Sequence, residues 1–298
     1  MTDLSDGICA YIVGGLGNQL FVLAAAWAQA ERLGCPLYVD TSYYALPGAN
    51  WSAQLAGIDH PGIDVTDISP WRGTSLVDQQ PGLFGSVDTG SQVLHLFTEA
   101  GFAYDERINS IVPGTTIAGY FQSAKYFGTI KDRLWQMLNA TSLLPHERSY
   151  LDAVTGERRV SLHVRRGDYL SPQTSQVHGL AEPGYFARAM HLYDRLHPDS
   201  RYRMYTDSPE VAVSELGPLA AIELAPPDGE LRPIAGMLAM AAGDGIIISN
   251  STYSWWAGWM ISQRDPGATV IAPRPWFRGG ESASDLLLAQ WPTLDARN

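Results

Sequence analysis

The sequence predicts an α/β protein made of two units with parallel sheets. Three observations carry that prediction. The chain opens as strand, glycine loop, helix and strand, the order of a βαβ unit. The second half alternates short apolar runs with amphipathic stretches in the same way. A length of 298 residues accommodates two such units of roughly 150 residues each.

Residues 8–13 (ICAYIV) form an apolar run suited to a buried strand. GGLGNQ follows at 14–19. LFVLAAAWAQAERLG (20–34) is rich in helix formers, and Gly34 is its expected stop. PLYVD (36–40) is the next strand. Residues 41–95 are rich in Gly, Pro, Ser and Asp without clear periodicity, which predicts loops and short elements. GTTIAGYFQSAKYF (114–127) gives a short strand and a turn, with a helix running from 125 to 139. Pro145 and the polar segment HERSYLDAVTGERR (146–159) mark the junction, dividing an N-terminal domain at 1–150 from a C-terminal domain at 151–298. Beyond it, strands are expected at 160–164, 203–205, 245–249 and 269–272, the last of the chain. Helices are expected at 185–196, 232–242 and 253–262.

Composition narrows the function. Lys plus Arg is 20 against 31 Asp plus Glu, a net charge of −11. That field repels nucleic acid and anionic lipid, so an anionic ligand needs positive charge gathered locally. The only cysteines, Cys9 and Cys35, offer neither a disulfide framework nor zinc spacing, which predicts a reducing, cytoplasmic compartment. No signal peptide and no apolar run of membrane-spanning length is read, so no integral membrane segment is expected. No D-x-D pair for holding a divalent cation against a diphosphate is present, so no metal and no cofactor are expected.

Two stretches carry chemistry. HVRRGDY (163–169) follows the strand 160–164, and ligands of open parallel sheets bind beyond the carboxyl ends of strands. Side chains alternate along a strand, so Arg165 and Arg166 face opposite ways: one is placed to bind, the other to brace the loop. Guanidinium forks match phosphate oxygens, Gly167 permits a sharp turn, and Asp168 either orients an arginine or serves as a general base. A purely structural Arg–Asp pair fits the same residues. SNSTYSWWAGW (249–259) follows the run GIII; its Ser, Asn and Thr suit a helix cap and an anion site, while Trp255, Trp256 and Trp259 suit a core. Together these strand ends offer arginines and a helix N-terminus to one anionic group, for which a nucleoside diphosphate is the natural candidate.

Gly15, Gly17 and Asp40 fit part of a dinucleotide fingerprint, but the third glycine position holds Leu20, and a nicotinamide enzyme would give HVRRGDY no purpose. A non-catalytic nucleotide-sugar-binding protein is a second rival.

Seven segments in order, GGLGNQLF (14–21), GYFQSAKYF (119–127), HVRRGDY, HG (178–179), YTDS (205–208), SNSTYSWWAGWM (249–260) and PRPWF (273–277), resemble the bacterial α-1,2-fucosyltransferases, glycosyltransferase family 11. The resemblance spans nearly the whole chain apart from 41–110 and 278–298. It implies a GT-B-like architecture, two Rossmann-like domains facing across a cleft, the first on the acceptor side and the second binding the nucleotide sugar. It implies inverting transfer of L-fucose from GDP-fucose to a galactose-terminated glycan without a metal; another hexose is an alternative. By the same resemblance Arg165 stabilises the leaving group; Asp168 is the most obvious carboxylate for the base unless an arginine locks it, and the Asn18 amide is expected to hold the acceptor or bridge to the donor. His163, Arg166, Asp207, Asn250, Ser251, Thr252, Gly15 and Gly17 fall on the donor side, and Tyr169 and His178 on the acceptor side. Peripheral association with the inner face of a membrane is compatible with such a role.

Overall fold

The computed structural model describes residues 5–47, 49, 51–58, 66–67, 85–88, 93–167, 179–216, 222–227, 229–278 and 284–297. The chain divides into two compact units: Met1–Ser142 with Ser284–Leu286, and Leu143–Ala283 with Leu287–Asn298.

The first unit contains β1 (Ile8–Tyr11), α1 (Leu16–Leu33), β2 (Leu37–Asp40), β3 (Thr66–Asp67), β4 (Gly85–Asp88), β5 (Val93–Thr98), β6 (Thr115–Ala118) and α2 (Lys131–Asn139). Its sheet runs in the order β3-β2-β1-β6-β5-β4. Every pairing is parallel except β4 with β5. Helix α1 starts four residues before the expected 20, inside the glycine loop. Gly15 holds the extended N-cap position, and the Leu16 amide is capped at 2.9 Å by Gln54 Oε1, from a segment whose sequence gives no such signal. Gly34 ends the helix as expected, in the left-handed conformation at φ 64°. The helix expected from 125 begins only at Lys131, because two short 3-10 turns, Ala124–Tyr126 and Gly128–Ile130, precede it.

The second unit contains α3 (Pro145–Val154), β7 (Val160–Val164), α4 (Pro183–Leu196), β8 (Tyr202–Thr206), α5 (Pro209–Leu216), β9 (Ile222–Leu224), α6 (Pro233–Ala241), β10 (Gly245–Ile247), α7 (Thr252–Arg264), β11 (Val270–Arg274) and β12 (Thr293–Asp295). All six strands are parallel in the order β12-β11-β10-β7-β8-β9. This is the order of a doubly wound sheet, which reverses direction between β7 and β10. Two expectations are corrected. Residues 146–159 are not a linker: Pro145 sits in the first helical turn, and Glu147 caps the Leu144 amide at 2.8 Å while holding Arg232 at the start of α6. The unit boundary therefore falls at Ser142/Leu143, ahead of the expected 150/151. Nor is β11 the last strand, since β12 pairs with it from Ala272 to Arg274.

The strand VSLHV shows how burial is partitioned. Val160, Leu162 and Val164 join the core built with Tyr185, Phe186, Ala189 and Met190 of α4. Ser161, on the other face, donates to the Met240 carbonyl of α6 at 2.8 Å. Period-two alternation thus assigns each residue of β7 to one helical layer.

Candidate functional site

The strand order reverses between β7 and β10, where ligands of such sheets bind, and His163 links the two carboxyl ends. His163 Nδ1 lies 2.9 Å from Ser249 Oγ, just past β10, and the ring lies 5.7 Å from that of Tyr253 in α7. Burial, with the nearby Arg165 charge adding to it, pushes the imidazole down to about 3. It is neutral at ordinary pH and braces the strand end instead of clamping a phosphate by charge.

Alternation carried two residues past the strand separates the arginines. Arg166 continues the Val164 side and is buried at 1% exposure. Its guanidinium pairs with Glu215 of α5 at 2.7 Å, lies 5.6 Å from the Phe186 ring centroid and donates to the Arg165 carbonyl at 2.9 Å. The structure makes it the brace of the loop, its charge paired in the interior. Arg165 continues the His163 side, retains 17% exposure and pairs with Asp207 at 2.9 Å. Asp207, past the end of β8, also accepts the amides of Arg166 and Gly167 with its other oxygen, at 2.8 and 3.1 Å. Its carboxylate therefore shapes the turn and aims Arg165. A Cβ at Gly167 would lie 2.4 Å from Asp207 Oδ2, so the glycine is a steric requirement of this anchor.

The N-terminus of α7 follows β10 at the same strand-order reversal. Ser251 is its N-cap with extended backbone and makes no side-chain cap bond, and Thr252 is half-buried at the first helical position. The positive end of a 13-residue helix suits an anion there. Asn250 plays another part: it is buried, and its Nδ2 donates to the carbonyls of Gly179 and Trp276, both at 3.1 Å. Trp255, Trp256 and Trp259 are core.

In the first unit the glycine loop lies at the carboxyl end of β1. Gly14 has φ 74°, and a Cβ there would meet Asn18 Nδ2 at 2.8 Å, so the Asn18 amide folds over it. Gln19, fully buried, donates to the Gly14 and Ser52 carbonyls and accepts the Gln54 amide, tying residues 52–54 to the loop. The Trp51 ring packs on Gly15, where an added Cβ would lie 3.4 Å away, and Tyr44 donates to the Gly14 carbonyl at 2.8 Å. Across the β1–β6 junction, Gln122 Nε2 donates to Asn18 Oδ1 at 3.0 Å.

Sequence reasoning missed Glu99, at the end of β5. Its buried carboxylate accepts the Tyr120 amide at 2.6 Å and the Phe121 amide at 2.9 and 3.0 Å. Phe121 has φ 51°, a left-handed conformation that costs a non-glycine residue about 1–3 kcal/mol. Burial pushes the Glu99 carboxyl up to about 7 against the pull of those amides. A lone Glu past a strand in TEAG gives no periodic or motif signal. Glu147, Glu215 and Gln54 were missed for the same reason, since their partners are remote in sequence.

Asp168, Tyr169 and His178 lie outside the described residues. Among the described residues no group of three His, Cys, Asp or Glu side chains is arranged to hold a metal ion, and no helix is long and apolar enough to cross a membrane.

Two α/β units of mainly parallel strands, the second with Arg165 past its strand-order reversal, have the fold of GT-B-like glycosyltransferases. The chain belongs to glycosyl transferase family 11, whose model matches residues 115–291. It is 25% identical over 284 residues to an Escherichia coli alpha-1,2-colitosyltransferase, covering 92% of this chain and 93% of that protein. It is 27% identical to the Escherichia coli O-antigen biosynthesis glycosyltransferase WbnK, covering 94% and 98%. The solved structure of a NodZ alpha-1,6-fucosyltransferase soaked with GDP-fucose aligns with a TM-score of 0.50 at 16% identity, over 86% of this chain and 92% of that one, showing a common fold.

Proposed function

We propose that this glycosyltransferase moves L-fucose from GDP-fucose to a galactoside hydroxyl of an oligosaccharide or polysaccharide repeat, inverting the anomeric carbon to form an α-1,2 linkage without a metal. The observation that carries the reading is the Arg165 guanidinium, aimed by Asp207 and held at the strand-order reversal beside the start of α7. In transfer, the bond from the anomeric carbon to the β-phosphate oxygen breaks while the acceptor oxygen bonds to that carbon. GDP leaves with the electron pair, and the acceptor proton passes to a base. Arg165 meets the charge growing on the departing phosphate, the work a divalent ion does elsewhere. The α7 N-terminus, with Ser251 and Thr252, supports the same diphosphate. Arg166, His163 and Asn250 hold that apparatus in shape. Asp168 is the proposed base, Tyr169 and His178 line the acceptor, and Asn18 holds acceptor or donor from the first unit with Gly15 and Gly17 permitting close approach. This reading places the enzyme in the cytoplasm, with a peripheral position at the membrane face.

A second donor has specific support, because one relative is named a colitosyltransferase. Colitose is L-fucose without its 3-hydroxyl, and a site that hydrogen-bonds that hydroxyl rejects the deoxy sugar by roughly 10⁴-fold. The test is a screen of GDP-fucose, GDP-colitose and UDP-hexoses against lactose-type acceptors, with and without EDTA. Transfer from GDP-fucose that survives EDTA is expected; EDTA-sensitive transfer or a UDP-sugar preference contradicts the proposal. In the same assay Arg165→Ala is expected to lose roughly 100- to 1000-fold in kcat while folded. Wild-type turnover by that variant removes Arg165 from the mechanism.

A further inference from the structure

We propose that Glu99 is a positioning residue for transfer: it holds the Gly119–Phe121 turn so that Gln122 presents Asn18 to the reacting groups. The inference deepens the proposed function, since it rests on the role given there to Asn18. The chain of contacts crosses three adjacent strand ends in the order β5, β6, β1. Both carboxylate oxygens of Glu99 accept backbone amides of residues 120 and 121. Those bonds hold Phe121 in its left-handed conformation, and its fully buried ring stacks on Phe97 at 6.1 Å and meets Tyr126 edge-on at 5.2 Å. A side chain at Gly119 is disfavoured by its φ of 155°, and a Cβ there would crowd Glu99 Oε1 and the Phe121 ring, each 3.1 Å away. With the turn so held, the next residue, Gln122, is 95% buried and donates to Asn18 Oδ1. Gln122 Oε1 is buried and has no hydrogen-bond partner among the described residues, so the Asn18 bond is the amide's one polar anchor there. A buried carboxylate and an incompletely satisfied buried amide are costly structures to keep for packing alone. Their joint product is the orientation of one side chain.

Glu99→Gln tests this. Oε1 accepts both amides and Oε2 only that of Phe121, so the glutamine either keeps Oε1 and sets its NH₂ against the Phe121 N–H or is turned and gives up the Tyr120 bond; either way the turn is loosened with little change in volume. Kinetics with GDP-fucose and lactose are measured for Glu99→Gln, Asn18→Ala and the double variant. The expected result is a kcat lower by about 10- to 100-fold in Glu99→Gln with GDP affinity unchanged, and no further loss when it is added to Asn18→Ala. A Glu99→Gln enzyme with wild-type kcat, or losses that multiply in the double variant, overturns the proposal. Gln122→Ala leaves the carboxylate and the turn intact, and serves if Glu99→Gln does not fold. It is expected to match Asn18→Ala, and wild-type turnover in it likewise overturns the proposal. A second arm is independent of the donor. The side-chain amide NMR signals of Asn18 and Gln122 are expected to shift in Glu99→Gln, and unmoved signals break the link even if fucose is the wrong sugar. Shifted signals in a protein that transfers none of the screened sugars would instead locate the failure in the proposed function.

Discussion

Asp207 shows how one side chain sets the chemistry of another. Its carboxylate spans the end of β8 and the turn after β7, satisfying two backbone amides with one oxygen and Arg165 with the other. Asp207→Ala removes all three partners at once. The two backbone hydrogen bonds contribute about 0.5–1.5 kcal/mol each, and the partly exposed ion pair at most ~1 kcal/mol. A stability loss on the order of 2 kcal/mol is expected from denaturant midpoints, together with a fall in kcat of at least ~10-fold as Arg165 loses its aim. Gly167→Ala is expected to lower kcat in the same direction, since its methyl group would displace that carboxylate. A variant of Asp207 with unaltered kcat would separate the ion pair from transfer.

The helices and turns make opposite demands on pH. In α3, hydrogen bonds from Arg232 hold the Glu147 carboxyl down at about 2, below the 4.5 of a free glutamate. Its folded form binds the proton less tightly than the unfolded chain, so its stabilisation is present above pH 4.5 and is lost as pH falls toward 2. Glu99 behaves in the reverse sense. Burial raises its carboxyl to about 7, so the fold retains a proton that the unfolded chain releases, and stability declines as pH rises from 4.5 to 7. The integrated effect is on the order of 3 kcal/mol. Neutral, buried His163 has the opposite slope, because the unfolded chain takes up its proton below 6.5. Urea midpoints measured from pH 3 to 8 should therefore rise more steeply between pH 4.5 and 7 in Glu99→Gln than in the wild type, where the two slopes offset each other. Glu147→Gln should flatten only the limb below pH 4.5. A Glu99→Gln profile parallel to the wild type would show that the carboxyl titrates normally.

Across the molecule, a net charge of −11 opposes the approach of an anionic ligand, so the proposed nucleotide would rely on Arg165 and the α7 terminus at the strand-order reversal. GDP binding the folded chain alone is expected to stabilise it by about 2.7 kcal/mol at a hundredfold excess over Kd. The shift in melting temperature should persist in EDTA and shrink in Arg165→Ala. A shift abolished by EDTA would assign the diphosphate to a metal.

The sequence by itself determined the α/β class, most of the second unit's strands and helices, and the clustering of HVRRG and SNST at strand ends. These are local properties, set by periodicity and by residues adjacent in the chain. It also carried the rule that Arg165 and Arg166 diverge, because alternation along VSLHV needs no other information. Only the tertiary structure decided which arginine was spent on bracing, since Glu215, Phe186 and Asp207 reach the loop from other elements. It likewise turned residues 145–154 of the polar segment into a capped helix tied to Arg232, and gave Glu99 its turn. Those assignments depend on pairings between distant positions, and burial of a charge becomes affordable only where such a partner arrives.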